Sequence, residues 1–141
     1  MATKNIANPP PILGRSAAPH LAQGVFAVES DEITFATATP ATLFTVPANT
    51  LVLGVFCQIT EAWDGTGAAL DVGVSGTTSR HLATAAITEA TLGFYGTALS
   101  VYKYTSQTDL IATITPGTSA TTGQAKFWLL YRPVSDKQKT L

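Results

Sequence analysis

A catalytic nucleophile needs a base within hydrogen-bond reach and a third group to orient that base. In this sequence only His20 and His81 offer an imidazole. His20 lies in a proline-rich stretch, and His81 follows Arg80 in a segment without clear periodicity, where an ordinary surface or loop histidine is the simpler reading. No Gly-x-Ser-x-Gly elbow occurs; Gly73-Val74-Ser75-Gly76 comes nearest and lacks the spacing. Two distant histidines, one cysteine and scattered carboxylates do not make a metal centre. Gly93-Phe94-Tyr95-Gly96 has neither the glycine spacing nor the lysine of a phosphate loop. Glu61, Asp64 and Asp71 could pair for glycoside hydrolysis. However, Asp64 precedes Gly65, where a turn aspartate is expected for backbone reasons alone, and Asp71 reads as an outward strand residue. Cys57, inside an apolar run, reads as a small buried hydrophobe. The sequence therefore predicts no catalytic residue, no cofactor and no metal. Trp63, beside Asp64 and Gly65, admits two readings. It could stack on a sugar ring, with Phe94 and Tyr95 as partners, or close the open end of a β-sheet core; the second is simpler.

The elements that must position these residues follow from composition. The chain has 141 residues and 14.7 kDa, enough for one domain with its own core. Hydrophobic residues make up 45% and charged residues only 12%, against about 25% in a typical soluble protein. Thr, Ser and Gly supply the polarity instead, and β-branched Thr suits a half-buried pleated surface. No apolar run approaches the roughly 18 residues of a spanning helix, and no basic segment precedes an apolar one as in a signal peptide, so no membrane partner is expected. One cysteine excludes an internal disulfide framework. A pI near 6.0 argues against the broad basic patch of a nucleic-acid binder. Residues 24–131 hold Glu29, Asp31, Glu32, Glu61, Asp64, Asp71, Glu89 and Asp109 against Arg80, Lys103 and Lys126. Lys4 and Arg15 at one end, and Arg132, Lys137 and Lys139 against Asp136 at the other, leave an acidic body between cationic ends. Such ends suit attachment to an acidic protein surface.

Residues 1–23 read as an extended arm. Pro9, Pro10 and Pro11, then Gly14 and Pro19, deny both helix and central strand, and the triple proline favours polyproline II. Such an arm is either a loose terminus or a docking segment, with Lys4, Pro9, Pro10, Pro11, Ile12, Leu13 and Arg15 as its contacts. From Gly24 to residue 134 the pattern is short strands between turns, with 135–141 a short tail. Residues 24–29 and 32–37 flank Ser30-Asp31 as a hairpin, and 41–46 follow. Residues 50–60 place Leu51, Leu53, Val55, Cys57 and Ile59 on one apolar face at period 2. Leu70, Val72 and Val74 alternate with Asp71 and Gly73. Residues 79–92 fit either a short helix or an irregular crossing with strand pieces. Residues 99–105, 108–115 and 124–131 complete about eight strands. The expected fold is all-β, a single β-sandwich or jelly-roll-like domain with an extended N-terminal arm.

Phe44, Phe56, Tyr102, Tyr104, Trp128 and Leu130 fall opposite the faces assigned to the core. A two-layer sandwich buries one face of each sheet, so this excess predicts either coverage by an identical subunit or a slipped register. Tyr102, Tyr104 and Trp128 are the expected subunit contacts.

Residues 43–131 also carry an ordered series of segments: Phe44-Thr45-Val46-Pro47-Ala48-Asn49-Thr50 leading into Leu51-Val52-Leu53-Gly54-Val55; Thr60-Glu61-Ala62-Trp63-Asp64-Gly65-Thr66; Leu70-Asp71-Val72-Gly73; Thr108-Asp109-Leu110-Ile111-Ala112-Thr113-Ile114-Thr115; and Thr122-Gly123-Gln124-Ala125-Lys126-Phe127-Trp128-Leu129-Leu130-Tyr131-Arg132. This series resembles small virion proteins of tailed bacteriophages. The resemblance implies a non-enzymatic β-sandwich or jelly-roll subunit that coats or cements a capsid or belongs to the head–tail apparatus, commonly as a trimer. It implies as partners the major capsid protein and identical subunits, and as location the capsid surface of a virion made in the host cytoplasm. The arm lies outside the resemblance. A carbohydrate- or receptor-binding β module is the alternative.

Overall fold

The computed structural model describes residues 24–97 and 101–134. Ten strands form in chain order: β1 Phe26–Glu29, β2 Ile33–Thr34, β3 Ala41–Val46, β4 Thr50–Glu61, β5 Ala69–Val74, β6 Thr77–Leu82, β7 Gly93–Tyr95, β8 Tyr102–Tyr104, β9 Thr108–Thr115 and β10 Gln124–Pro133. They build two antiparallel sheets packed face to face, the all-β sandwich that the alternation predicts. In the first sheet β10 and β4 are central; β1 and β2 share the outer side of β10, and β7 and β8 share the outer side of β4. The second sheet runs β3-β9-β5-β6. The arm contacts Lys4, Pro9, Pro10, Pro11, Ile12, Leu13 and Arg15, the 135–141 tail and Leu99 lie outside the described residues.

The hairpin expected at Ser30-Asp31 is not formed. β1 and β2 both pair with β10, Val28 opposite Leu129 and Ile33 opposite Ala125, so they are two pieces of one edge strand. Between them Ser30 keeps the ladder: its N–H donates to Phe127 O at 2.8 Å, and its Oγ accepts from Phe127 N at 2.9 Å. Asp31 and Glu32 are looped out and exposed. In 79–92 the strand alternative holds. β6 runs to Leu82, and only Thr84–Ala86 makes a turn of 3₁₀ helix. β-branched Thr84, Ile87 and Thr88 are poor material for a longer helix.

Val55, Cys57, Ile59, Ala125, Phe127 and Leu129 from the first sheet meet Phe44, Val46, Leu70, Val72, Leu110 and Ala112 from the second, all buried. β-bulges set which residues face inward. Leu130 pairs with Gly54 but Tyr131 with Val52, which leaves Leu53 as an extra residue and reverses the facing of β4. Thr50 and Val52 therefore point inward before the bulge, and Val55, Cys57 and Ile59 after it, while Leu51 and Leu53 are only half-buried on the outer face. The single face expected for residues 51–59 is thus split in two. A similar shift between Thr42 and Phe44 turns Phe44 opposite Leu110 and into the core, against the outward facing expected of it.

Candidate contact site at the β6–β8 flank

A cluster of charged, imidazole and phenol side chains forms where β6 approaches β8 across the two sheets. Val74 pairs with Thr77 and Val72 with Leu82, so one residue of β5 faces four of β6. The surplus backbone folds over Gly73, where a Cβ would lie 2.2 Å from Thr77 O and 2.6 Å from Thr78 C. No larger residue fits there, and Gly73 is what lets the bulge close. The bulge delivers two consecutive side chains, Arg80 and His81, to the same place.

β8 meets them from the other sheet. Tyr104 pairs with Thr50 and Tyr102 with Val52, both core-facing residues, so the two tyrosines point to the inner side of their sheet. The outward facing expected of them is corrected: Tyr104 is 5% exposed within the core, and Tyr102, farther along the edge, is 41% exposed. Tyr104 OH and His81 Nε2 are 2.6 Å apart. The Arg80 guanidinium lies 4.1 Å above the Tyr102 ring, a cation–π distance, and Arg80 Nη1 reaches Tyr104 OH at a long 3.5 Å. The tyrosine rings are 4.7 Å apart at 48°, and His81 stands edge-on to Tyr102. An open cleft of about 710 Å³ runs past Arg80, Tyr102 and Lys103 to Thr108 and Asp109.

Burial, with the Arg80 charge adding to it, pushes the His81 pKa down to about 4. The ring is therefore neutral at physiological pH. Burial likewise raises the Tyr104 hydroxyl, and Arg80 is held firmly as a cation, first by its bond to Tyr104. Arg80 donates to the phenolic oxygen, and the imidazole tautomer sets which of Tyr104 Oη and His81 Nε2 donates to the other. His81 Nδ1 is buried and has no hydrogen-bond partner among the described residues. The His81–Tyr104 bond ties β6 of the second sheet to β8 of the first.

Trp128, the third expected contact, is elsewhere. It is half-buried on the outer face of the first sheet, opposite Phe56 on β4 and Glu29 on β1. Phe56 is partly covered by the chain itself, since a Cβ on Gly96 would be 2.4 Å from its ring. The structure thus brings Tyr102 and Tyr104 together and leaves Trp128 on a separate surface. Arg80, which completes the cluster, was not singled out by the sequence. Its only signals were its place beside His81 and its rarity as a cation within residues 24–131.

The remaining residues that could do chemistry hold loops. Asp64 accepts from Thr121 N at 2.7 Å, from Thr122 N at 3.0 Å and from Thr121 Oγ1, and these bonds, the side-chain one foremost, lower its pKa to about 2. Glu61 accepts from Gly123 N and Asp71 from Thr84 N. Burial pushes the Cys57 thiol up to about 12, which makes it inert. Trp63 is 2% exposed, pressed beneath Gly123, where a Cβ would sit 2.5 Å from its ring. It closes the end of the core and has no free face for a sugar; Phe94 is 68% exposed but lacks that partner. No group of three or more potential metal ligands occurs among the described residues.

No family model matches the chain, and no curated protein matches it. Solved structures do. The chain superposes on one from the cyanophage Pam1 capsid asymmetric unit with a TM-score of 0.64 and 18% identity, over 95% of this chain and 100% of that one. A chain of the acidic stable capsid of Helicobacter pylori bacteriophage KHP30 gives 0.57 and 16%, over 79% and 89%. A chain of the capsid of Ralstonia phage GP4 gives 0.57 and 17%, over 82% and 88%. The β-sandwich described here is thus a fold that recurs in three bacteriophage capsid structures, in agreement with the resemblance carried by residues 43–131.

Proposed function

We propose that this protein is a non-enzymatic structural subunit of a bacteriophage virion, and specifically a capsid decoration or cement protein. The observation that carries the reading is the end-to-end match with a chain of the Pam1 capsid, which leaves almost none of either chain unaccounted for. The loop-holding roles of Glu61, Asp64 and Asp71 agree with a chain that does mechanical rather than chemical work. The buried Trp63 removes the ring on which a carbohydrate module would rely.

In this reading the partners are the major capsid protein and identical subunits, arranged as a trimer on the outer capsid surface. A subunit that binds only the mature shell shifts the equilibrium towards that shell by mass action. The 1–23 arm, through Lys4, Pro9 to Pro11, Ile12, Leu13 and Arg15, would reach the shell. An extended arm covers much surface with few residues at the cost of its own ordering. Three arms on one trimer would multiply a weak single contact. Tyr102 and Trp128 remain the proposed subunit contacts, with Tyr104 acting from the core beneath Tyr102.

The test is co-sedimentation with purified capsids, followed by thermal challenge of the particles. The full chain is expected to saturate the shell and raise its rupture temperature, and a chain lacking residues 1–23 is expected to stay in the supernatant. Saturation by the arm-deleted chain at the full-length affinity would overturn the attachment mechanism. Failure of the full chain to bind any capsid form would overturn the decoration role.

A further inference from the structure

The charges of the sandwich are almost all answered within the chain. Lys126 pairs with Glu29 at 3.4 Å, and Lys103 and Arg132 are engaged in interactions of their own. Among the carboxylates, Glu32 accepts from Thr60, Glu89 from Leu70 N and Thr84, and Asp109 from Thr45, while Glu61, Asp64 and Asp71 hold the loops described above. Two groups stand apart among the described residues. Arg80 has a ring beneath it and only long bonds, at 3.5 Å, to Tyr104 and Thr77, with no carboxylate. Asp31 has a carboxylate that meets neither cation nor donor, and it projects from the exposed break between β1 and β2.

These two groups occupy opposite flanks of the sandwich. β1 and β2 border the first sheet on one side and β8 on the other, with β10 and β4 between. That is about 14 Å of sheet at the usual strand spacing, so the two cannot meet within one chain. Resting on the proposed role as a multimeric subunit, we infer that copies of this chain associate flank to flank, Asp31 of one copy entering the Arg80–Tyr102 cleft of the next.

The chemistry of the cleft fits that guest. A guanidinium that lies over an aromatic ring and makes only long bonds, to Tyr104 and Thr77, has N–H groups left over for a carboxylate, which a guanidinium takes through two parallel N–H···O bonds. Lys103 lines the same cleft and adds positive potential, while Asp109 on the far wall is held by Thr45. The guest is equally suited: a two-residue loop, Asp31-Glu32, stands clear of the sheet on an anchored Ser30. Because the two patches differ, the contact is head-to-tail, and repetition closes a ring when the rotation per copy divides a full turn.

Sedimentation equilibrium from micromolar to millimolar concentration tests this, with Asp31→Arg, Arg80→Asp, the double exchange and Tyr102→Ala. Each single exchange is expected to weaken self-association about tenfold or more, and the double exchange to restore it. Tyr102→Ala is expected to weaken it by removing the ring on which the guanidinium rests. Near-UV circular dichroism verifies that each variant is folded. Single exchanges that associate as the original does, or a double exchange without recovery, overturn the inference. So does an original chain that stays monomeric throughout. Capsid co-sedimentation of the same proteins separates the two readings. A monomer that still coats particles leaves the virion role standing, whereas a self-associating chain that ignores every capsid removes that role and keeps the contact.

Discussion

Acid should destabilise this fold through His81 before it acts through the carboxylates. The folded state holds the imidazole neutral with a pKa near 4, whereas the unfolded chain has the ordinary value of 6.5. As pH falls below about 6.5 the unfolded chain takes up the proton first, and stability is withdrawn until the folded state is protonated as well, near pH 4. Above 6.5 the contribution is complete. The full shift corresponds to a loss on the order of 3 kcal/mol, of which about 2 kcal/mol is gone by pH 5. With an m-value of roughly 1.5–2 kcal/mol per molar, the urea midpoint should drop by about 1 M between pH 7 and pH 5. His81→Gln should be less stable near pH 7, because it loses packing against Tyr102 and Tyr104, yet nearly flat over that interval. Asp64, held near 2, keeps its full contribution above the ordinary aspartate value of 3.8 and loses it only as pH falls from there to about 2, so the two windows separate. A His81 imidazole, assigned by its loss in His81→Gln, that titrates near 6.5 by NMR, or a His81→Gln chain with the original slope, would refute the reasoning.

Gly73→Ala should cost more than about 3 kcal/mol, since its methyl meets backbone at 2.2 Å and the β6 bulge must move; chemical denaturation measures it, and a change below about 0.5 kcal/mol would contradict the close approach. Trp63→Ala should lower stability by about 3–5 kcal/mol, with the loss visible in the melting temperature and no dependence on added sugars. Cys57 should resist alkylation in the native chain at neutral pH and react fully in denaturant, with mass spectrometry as the readout; rapid native labelling would show that its strand opens.

Strand positions were legible wherever alternation was strong. β3, β4, β5, β9 and β10 fall close to their expected ranges because their apolar residues recur at period 2. What alternation does not encode is the bulge. One extra residue at Leu53 or before Phe44 reverses every following side chain, and nothing in the local composition marks it. The same limit applies at the contact site: alternation pairs Tyr102 with Tyr104 but assigns both to the outer face, whereas their register with Thr50 and Val52 turns them inward. Arg80 entered their company only through a bulge made possible by Gly73, seven residues earlier. The false hairpin at Ser30-Asp31 has a related cause. Two short apolar runs beside a turn signal look alike whether they pair with each other or both pair with a distant strand. The chemistry of the acids was easier, because an aspartate before glycine is so often a turn residue.

The broken borders of the two sheets carry a consequence for solubility. β1 and β2 offer four and two residues at one border, β7 and β8 three each at another; β3 is kinked by its register shift and β6 by its bulge. Amyloid-like stacking is typical of uninterrupted segments of about six residues with high β-propensity and low charge, which a Thr- and Val-rich chain with 12% charged residues would otherwise supply in abundance. Interrupting every lateral border removes the template for strand addition without calling on the charges that most proteins use for this purpose. The Thr-rich faces of the described strands are thus left for side-chain recognition, and fibre formation should be rarer than the composition suggests.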